Sequence, residues 1–247
     1  MVKFAIVYTK VIATSIAAVL FSSCHIKDLQ IGEGIDGNGN VTTQTRNVEN
    51  NFSKIEVNRG LNVIIEQSDA YIVKVEADAN LQSHITVTVE NGTLIITTDE
   101  NIDKATAKNI RVQLPTLSSI ETSSGSSVTT NGTYKGTNIV VKSSSGSESV
   151  LNLEFDNISC ESSSGSSISV KGKALKLTTD SSSGSEIDAQ GLLVNEVVSH
   201  SSSGSSTDVH PIVSLKGKAS SSSAINYDSS PQSVLKEESS GGSVSKE

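Results

Sequence analysis

Apolar and polar residues alternate along most of this chain from Phe52 onward, with the period of two that is typical of β-strands. Segments 61–65 and 85–89 show the alternation clearly, and 94–96 is a short apolar run. An Asn-Gly pair at positions 91 and 92 separates the last two segments, and such a pair between alternating runs predicts a tight hairpin. The pattern therefore predicts an all-β chain that opens with irregular strands and a hairpin.

A five-residue motif, Ser-Ser-Ser-Gly-Ser or a close variant, recurs in the second half of the chain. Its glycines stand at positions 125, 146, 165, 184 and 204, and are separated by 21, 19, 19 and 20 residues. Two degenerate copies follow at 220–224 and 238–242. A fixed period in this range indicates a repeat architecture.

The residues between the motifs fall into columns when the copies are aligned on the glycine. Two of the apolar or small columns are Val128, Ser149, Ile168, Ile187 and Thr207, and Ile120, Val141, Cys160, Thr179 and Ser199. Two hydrophilic columns are Glu121, Lys142, Glu161, Asp180 and His200, and Ser127, Glu148, Ser167, Glu186 and Ser206. This division predicts a parallel β-helix or β-solenoid with about 19–21 residues per coil, whose equivalent positions stack at about 4.8 Å.

The serine tract itself admits two arrangements. If alternation continues through it, the serines three and one before the glycine, and the serine one after it, all point inward. If the glycine instead adopts a positive φ at a corner, the register shifts by one residue. The sequence leaves both open.

The N-terminus has the organisation of a secretory signal. Lys3 and Lys10 precede an apolar run over 11–20, and small residues lead to Cys24. The segment resembles the lipobox of bacterial lipoproteins, with Phe21 where leucine is usual three places before the cysteine. The resemblance implies a signal peptide over 1–23 and lipidation of Cys24, which would hold the protein to a membrane.

The remainder of the chain divides by composition. Residues 24–45 are polar and glycine-rich, which predicts a flexible tether. Residues 46–228 form the predicted solenoid domain, with serine-glycine repeats from 116. Residues 229–247 are a polar C-terminal tail or a capping coil.

Charge and cysteine content narrow the function classes. The chain carries a net charge of −8, and removal of residues 1–23 leaves 17 basic and 27 acidic residues, a net charge of −10. Such a chain is not expected to bind nucleic acid. Lipidation of Cys24 would leave Cys160 as the only thiol, without an internal disulfide.

A set of short motifs in this order resembles the head GIN domain family, the putative auto-transporter adhesins. The motifs are Gly37–Gly39, Arg46–Val48, Phe52–Ile55, Asn80–Leu81, Asn91–Leu94 and Leu114–Leu117, leading into the serine-glycine repeats. The resemblance covers residues 37–228. It implies a β-helix-like fold on a cell-envelope protein, often a lipoprotein, and it supplies no catalytic or cofactor-binding residues.

Serine-rich sequence invites a search for catalysis. Ser201, His200 and Asp180 could imitate a catalytic triad, but GxSxG is absent and an open face would provide no oxyanion hole. We expect these residues to form an outward polar ladder. No catalytic residue is assigned.

Carboxylates near the glycines, including Glu148, Glu186, Asp188 and Asp208, could recruit Ca²⁺. Serines interrupt these columns, so a solvated acidic face is expected and neither a metal nor a cofactor is assigned. Polysaccharide cleavage on a β-helix remains an enzymatic alternative, although the repeats contain no Arg and no Trp. Binding of ice or mineral by a hydroxyl array is a third alternative.

The sequence thus predicts a non-enzymatic outer-membrane lipoprotein of the cell envelope, facing the periplasm or the cell surface. Its solenoid would act as an adhesin or binding module for an unknown protein or surface ligand. The alternative is an envelope structural or stress-response component without an external ligand. Self-association through the solenoid ends is a further expectation.

Overall fold

The computed structural model describes residues 34–247, which form one compact unit. The predicted signal peptide, Cys24 and the first part of the predicted tether lie outside the described residues. Residues 34–247 are all β without a helix, so within them no helix could cross a membrane. About 65% of the residues lie in strands, and the solenoid has about 7 turns, which confirms the predicted fold class.

Nineteen strands make up the unit. In chain order they are β1 Ile35–Asp36, β2 Val41–Arg46, β3 Lys54–Val57, β4 Asn62–Gln67, β5 Ile72–Asp78, β6 Ile85–Glu90, β7 Thr93–Thr98, β8 Ile102–Lys104, β9 Lys108–Leu114, β10 Ser119–Thr122, β11 Ser127–Thr130, β12 Tyr134–Ser143, β13 Glu148–Ser162, β14 Ser167–Ser181, β15 Glu186–Ser201, β16 Ser206–Ala219, β17 Ala224–Tyr227, β18 Ser233–Glu238 and β19 Ser243–Lys246. The predicted hairpin is confirmed as β6 and β7, which pair antiparallel across Asn91 and Gly92 with φ of 51° and 76°.

Each coil has three sides, which we name from the serine-glycine motif. Side A precedes the motif and contains β7, β3, β10, the end of β12 and the ends of β13–β16, then β18. Side B follows the motif and contains β9, β4, β11, the starts of β13–β16, then β17 and β19. Side C is the stretch that joins side B to the next side A.

The order of the coils in space differs from their order in the chain. The coil of β3 and β4 lies between the coil of β7 and β9 and the coil of β10 and β11. The coil of β3 and β4 therefore comes first in the chain but second in space. The next segment of the chain adds the coil of β7 and β9 below it, and the chain then continues above it with β10 and β11. The repeats begin only after this step, which is why the sequence before residue 116 lacks their period.

Antiparallel strands cover the N-terminal end of the solenoid. β6 pairs with β7, β5 pairs with β9, and β2 pairs with β5. The predicted tether over 24–45 is too long, because residues 34–45 contain β1 and β2 and belong to the folded unit. β2 is held by backbone pairing to β5, and its Val-Thr-Thr-Gln-Thr-Arg sequence is mostly exposed, so no apolar alternation revealed it.

The interior between the sides is narrow and consists of stacked columns. The side A column Ile139, Ile158, Leu177, Val197 and Leu215 is buried throughout, as is the side B column Leu151, Val170, Ala189 and Val209. Cys160 lies in the interior as a free thiol. Burial raises the pKa of this thiol to about 12, so it stays protonated and packs as a small apolar group.

The Ser-Gly corner is the turn made by each serine-glycine motif, with residues 144–147 as an example. Ser145 and Gly146 have φ of 53° and 69°, and the N–H of Ser147 donates to the carbonyl oxygen of Ser144 at 3.2 Å. Two consecutive positive φ values identify a type I′ turn, which favours glycine at its second central position. The corner arrangement is therefore the one adopted.

The serines on either side of the turn point inward. Ser143 and Ser147 are buried, whereas Ser145 is exposed. The inward orientation that uninterrupted alternation would give is found three before and one after the glycine but not directly before it, because the turn interrupts alternation there.

The final residues form one more coil. β18 pairs with β16 and β19 pairs with β17, both in parallel register. Of the two arrangements predicted for 229–247, the capping coil is therefore the one adopted. Side chains close this coil: Lys236 Nζ donates to the Val244 carbonyl oxygen at 2.6 Å, and the Val244 N–H donates to Glu238 Oε1 at 2.6 Å.

Candidate functional site

The serine tract, the most conspicuous chemical feature of the sequence, is a structural network. Ser166 Oγ accepts a hydrogen bond from the Ser163 N–H at 3.1 Å and donates to the carbonyl oxygen of Ser143, one coil below, at 2.7 Å. The same pair of bonds recurs at Ser147, Ser185, Ser205 and Ser223. A hydroxyl on a short side chain can both accept and donate, which is why serine recurs at this position.

The three residues that resemble a triad do not converge. Ser201 is buried, and its Oγ lies 2.8 Å from Ser181 Oγ and 2.9 Å from Thr207 Oγ1. His200 and Asp180 are exposed neighbours in an outward ladder on side A, as predicted. Adjacent residues of a strand point to opposite faces of the sheet, so His200 cannot reach the Ser201 hydroxyl.

The carboxylates after the glycines lie on side B. Glu148 and Glu186 are exposed and alternate with serines in one column, as predicted. Asp208 is half-buried, and its Oδ1 accepts a hydrogen bond from Asn226 Nδ2 at 2.8 Å. Burial raises the pKa of the Asp208 carboxyl, and the nearby Glu247 and Asp188 carboxylates add to the rise. Within residues 34–247 no three His, Cys, Asp or Glu side chains lie close enough together to hold a metal ion.

Side A carries a polar furrow, formed by three adjoining depressions along the solenoid axis. Its floor is the column of short side chains Ser119, Val140, Ser159 and Thr178. The column Glu121, Lys142, Glu161 and Asp180 forms one wall, and Asn138, Asn157 and Lys176 form the other. The two larger depressions have volumes of about 590 Å³ each.

Side chains within the walls of the polar furrow are ordered by their neighbours. Lys142 Nζ lies 2.7 Å from Glu161 Oε2, and this hydrogen bond and charge raise the pKa of Lys142. Asn157 Nδ2 donates to Asn138 Oδ1 at 2.9 Å across one coil step. The furrow therefore presents charges of both signs and amide groups in fixed positions.

Side C carries an apolar groove of about 540 Å³. The floor contains Phe155 and Ala174, both buried. Leu175, Leu193 and Ile212 rise from it with exposed fractions of 55%, 44% and 45%. Exposed leucine and isoleucine gathered around a depression mark a binding surface more often than single exposed apolar residues do.

The N-terminal half of the apolar groove is charged. Lys135 Nζ lies 2.9 Å from Glu154 Oε2, and the hydrogen bond and charge of Lys135 lower the pKa of Glu154. Lys173 is the next residue of the same column and also lowers that pKa. Lys173 forms no ion pair within 4.0 Å among the described residues.

Neither wall of the apolar groove was predicted from the sequence. A signal exists, since consecutive apolar residues at 174–175, 192–194 and 212–213 cannot all face inward in a strand that alternates. The sheet bends here between sides C and A, at outward pairs such as Leu175–Lys176, and the bend places Leu175 in solvent. Leu193 is exposed by ordinary alternation, because it lies between buried Leu192 and Val194. The predicted lipidation site, Cys24, lies outside the described residues.

Solved structures resemble the unit over nearly all of its length. A putative adhesin from Bacteroides fragilis is 19% identical, with a TM-score of 0.81 over 87% of this chain and 100% of that chain. A putative lipid binding protein from Parabacteroides distasonis is 22% identical, with a TM-score of 0.70 over 86% of this chain and 99% of that chain. A putative adhesin from Parabacteroides merdae is 19% identical, with a TM-score of 0.69 over 86% of this chain and 98% of that chain.

At these identities the likeness establishes the fold alone. A search of curated proteins found no match. The family described as "Putative auto-transporter adhesin, head GIN domain" matches residues 51–231, which is most of the chain. Its span includes β3 to β17, and with them the polar furrow and the apolar groove described above. The chain therefore belongs to the head GIN domain family of putative auto-transporter adhesins.

Proposed function

We propose that the protein is a non-enzymatic binding module of the cell envelope, anchored as a lipoprotein through Cys24, and that the polar furrow of side A contacts a partner protein. Membership of an adhesin-type family supports an envelope or surface location. The cysteine at the end of the N-terminal apolar run supports the anchor.

The observation that carries the proposal is the ordered polar furrow on a rigid scaffold. One row along the solenoid axis, with one residue from each coil, contains Glu121, Lys142, Glu161 and Asp180. The ion pair with Lys142 holds Glu161 in place. Fixed charges of both signs give an interface its specificity and steer association. The furrow walls contain no aromatic side chain to stack on a sugar ring, which favours a protein partner over a glycan.

Two arrangements of side chains support a role without catalysis. The candidate triad residues lie on opposite faces of the sheet. The repeated serine hydroxyls next to the corners are already engaged with backbone groups of the neighbouring coil.

A charge-matched pair of variants tests the furrow. Cells carrying the protein would be assayed for adhesion to a panel of purified matrix proteins and to other bacteria. The triple variant Glu121→Gln, Glu161→Gln, Asp180→Asn should reduce adhesion at least fivefold. The control Glu148→Gln, Glu186→Gln, Asp188→Asn removes the same charge from side B and should leave adhesion unchanged. Equal losses would show a general effect of net charge and contradict the proposal.

Two further measurements test the location. A Cys24→Ala variant should leave the membrane fraction, and its retention there would contradict lipid anchoring. Protease treatment of intact cells should remove the solenoid if it faces outward. Full protection, together with no adhesion across the panel, would favour an envelope structural or stress-response role without an external ligand.

A further inference from the structure

The two ends of the solenoid differ in how their open strand edges are shielded. A strand at the end of a sheet presents unpaired N–H and C=O groups, and proteins usually shield such an edge with charged side chains, proline or a covering segment. β18 and β19 form the open edges at the C-terminal end, and β6 and β2 form them at the N-terminal end. The expected self-association through the solenoid ends depends on which of these edges is shielded.

Charged side chains shield the C-terminal end. Lys236 and Glu238 continue two buried columns of side A, so they project across the end of the core. Lys236 Nζ lies 5.5 Å from the centre of the Tyr227 ring and donates to the Val244 carbonyl oxygen at 2.6 Å. The Val244 N–H donates to Glu238 Oε1. Both backbone groups of Val244 are therefore occupied, and an added strand would have to displace two charged side chains.

β6, at the N-terminal end, carries no comparable shield. Its sequence is Ile-Thr-Val-Thr-Val-Glu, with a single charge at its last position and no proline. Ile85 is buried, and Val87 and Val89 pack against the core while remaining only half-buried. β2, the other open edge at this end, places only polar side chains toward the unit. The edge of β6 is therefore the one at which the apolar core reaches an unshielded strand.

Half of the backbone groups of β6 point away from β7. In an antiparallel pair, alternate residues exchange both hydrogen bonds with the neighbouring strand. The Asp99 N–H donates to the His84 carbonyl oxygen at 3.2 Å, which places the even-numbered residues of β6 on the β7 side. The odd-numbered residues face the open edge, with the N–H groups of Val87 and Val89 and the carbonyl oxygen of Ile85. Within residues 34–247 no second strand pairs with them.

We propose that two copies of the chain pair through β6 as an antiparallel, two-fold dimer. With Val87 on the two-fold axis, its N–H donates to the carbonyl oxygen of the partner's Val87, and the Val89 N–H donates to that of the partner's Ile85. The same register places Ile85 opposite the partner's Val89 on the inward face. Thr86 lies opposite the partner's Thr88 on the outward face. Pairs of β-branched residues and of threonines stabilise antiparallel sheets.

β6 is complementary to itself, which favours a second copy over an unrelated strand. A two-fold interface requires one surface to match its own inverted copy. β6 meets this requirement because its apolar residues and its threonines are each placed symmetrically about Val87. The one carboxylate of the strand, Glu90, lies opposite the partner's His84, so the register brings no two carboxylates of β6 together.

The two solenoids are inclined to each other in this dimer. Beyond the first coil, side A carries β6 alone, whereas side B carries β5 and then β2. Strands of a sheet are about 4.8 Å apart, so side B extends roughly one strand further than side A. Two copies that meet through β6 therefore open apart at side B, which gives a bent dimer. The polar furrow lies on the outward face of side A and takes no part in the pairing.

Sedimentation equilibrium of the full chain carrying Cys24→Ser, which prevents lipidation, tests the pairing. This chain should be a dimer at micromolar concentration. Val87→Lys places a charge at the inward edge and should weaken dimerisation by about tenfold or more. Val234→Lys is the matched control, since Val234 is 36% exposed at an inward position of β18 at the opposite end, and it should leave the dimer unchanged. Unfolding midpoints equal to wild type would establish that both variants are folded.

Disulfide cross-linking tests the register. In the same Cys24→Ser background Cys160 is buried with a pKa of about 12, so an introduced cysteine is the reactive thiol. Val87→Cys should form a disulfide between copies under mild oxidation, because facing residues of a hydrogen-bonded pair have Cα atoms about 5.5 Å apart. Val89→Cys should not, because the two Val89 positions are offset by four residues, roughly 13 Å along the strands.

The opposite results overturn the proposal. A monomeric wild type does so directly, as does equal loss of the dimer in Val87→Lys and Val234→Lys. A disulfide in Val89→Cys without one in Val87→Cys would contradict the register. A monomer that binds a synthetic peptide of residues 84–91 would show that the edge accepts a strand from another protein, and would overturn pairing between copies. Failure of the dimer leaves the adhesion prediction for the side A carboxylates standing.

Discussion

The Ser-Gly corner and the side C bend are two of the places where the coil changes direction, and they are built in opposite ways. The Ser-Gly corner repeats almost letter for letter, and its flanking serines are buried and hydrogen-bonded. The side C bend has no sequence repeat and leaves Leu175, Leu193 and Ile212 exposed. Regularity in this sequence therefore follows the demands of stacking, and the exposed apolar surface lies where the regularity fails.

The difference has a physical cause. A serine at the corner must fit one exact arrangement, because its hydroxyl bonds its own turn and the coil below. Every coil imposes the same arrangement on that position. At the side C bend, outward residues contact water, so the fold accepts many side chains there. Exposed leucines at such a position are tolerated by the fold without being required by it.

The largest expected effect lies just inside the Ser-Gly corner. Ile168 is 1% exposed, and Ile168→Lys would place an unpaired charge in a narrow core. We expect a loss of about 3–5 kcal/mol in the free energy of unfolding. Its neighbour Ser167 faces outward between Glu148 and Glu186, so Ser167→Lys should cost less than about 0.5 kcal/mol. Denaturant unfolding measures both, and equal losses would contradict the register.

A second prediction compares the Ser-Gly corner with the side C bend. Ser166→Ala would remove both hydrogen bonds of the Ser166 hydroxyl, each worth about 0.5–1.5 kcal/mol, so the total loss should be about 1–3 kcal/mol, although the Ser163 N–H still donates to the Ser143 carbonyl oxygen. Leu175→Ala removes an exposed side chain at the other bend and should cost less than about 0.5 kcal/mol. The comparison breaks down if Leu175→Ala proves the more destabilising in the same unfolding assay.

A smaller effect is expected at the outward tip of the corner. Ser164 has a φ of 54°, a conformation in which asparagine is more favourable than most other residues. Ser164→Asn should therefore stabilise the protein by about 0.5 kcal/mol. Ser164→Val should destabilise it by about 1–2 kcal/mol, because a β-branched residue is poorly tolerated at positive φ. Thermal midpoints that move in the same direction for both variants would contradict the type I′ turn.

Much of the fold follows from the sequence because it rests on repetition. The columns around Ile168 and Glu161 identified inward and outward positions correctly, since stacking forces equivalent residues into equivalent environments. The hairpin at Asn91 and Gly92 was identifiable because few residue pairs suit two positive φ values. The family motifs pointed to the same fold, and the family match confirms them.

Other features were hidden because they depend on pairing between distant segments. β2 is held by backbone hydrogen bonds to β5, and its Thr and Gln side chains carry no apolar pattern. The coil of β3 and β4 lies above a coil that comes later in the chain, an order that no local signal encodes. The apolar groove could not be predicted without the bend at Leu175, because alternation alone does not determine which of two adjacent apolar residues faces water.

Amide hydrogen exchange at the Ser-Gly corners tests most directly the claim that the serine-glycine repeats are structural. The N–H groups of Gly146, Gly165 and Gly184 donate to serine carbonyl oxygens of the next coil at 3.1–3.2 Å. These amides should therefore exchange as slowly as those of the core strands, despite their exposed glycine positions. Exchange at the rate of an unstructured serine-glycine linker would contradict the account.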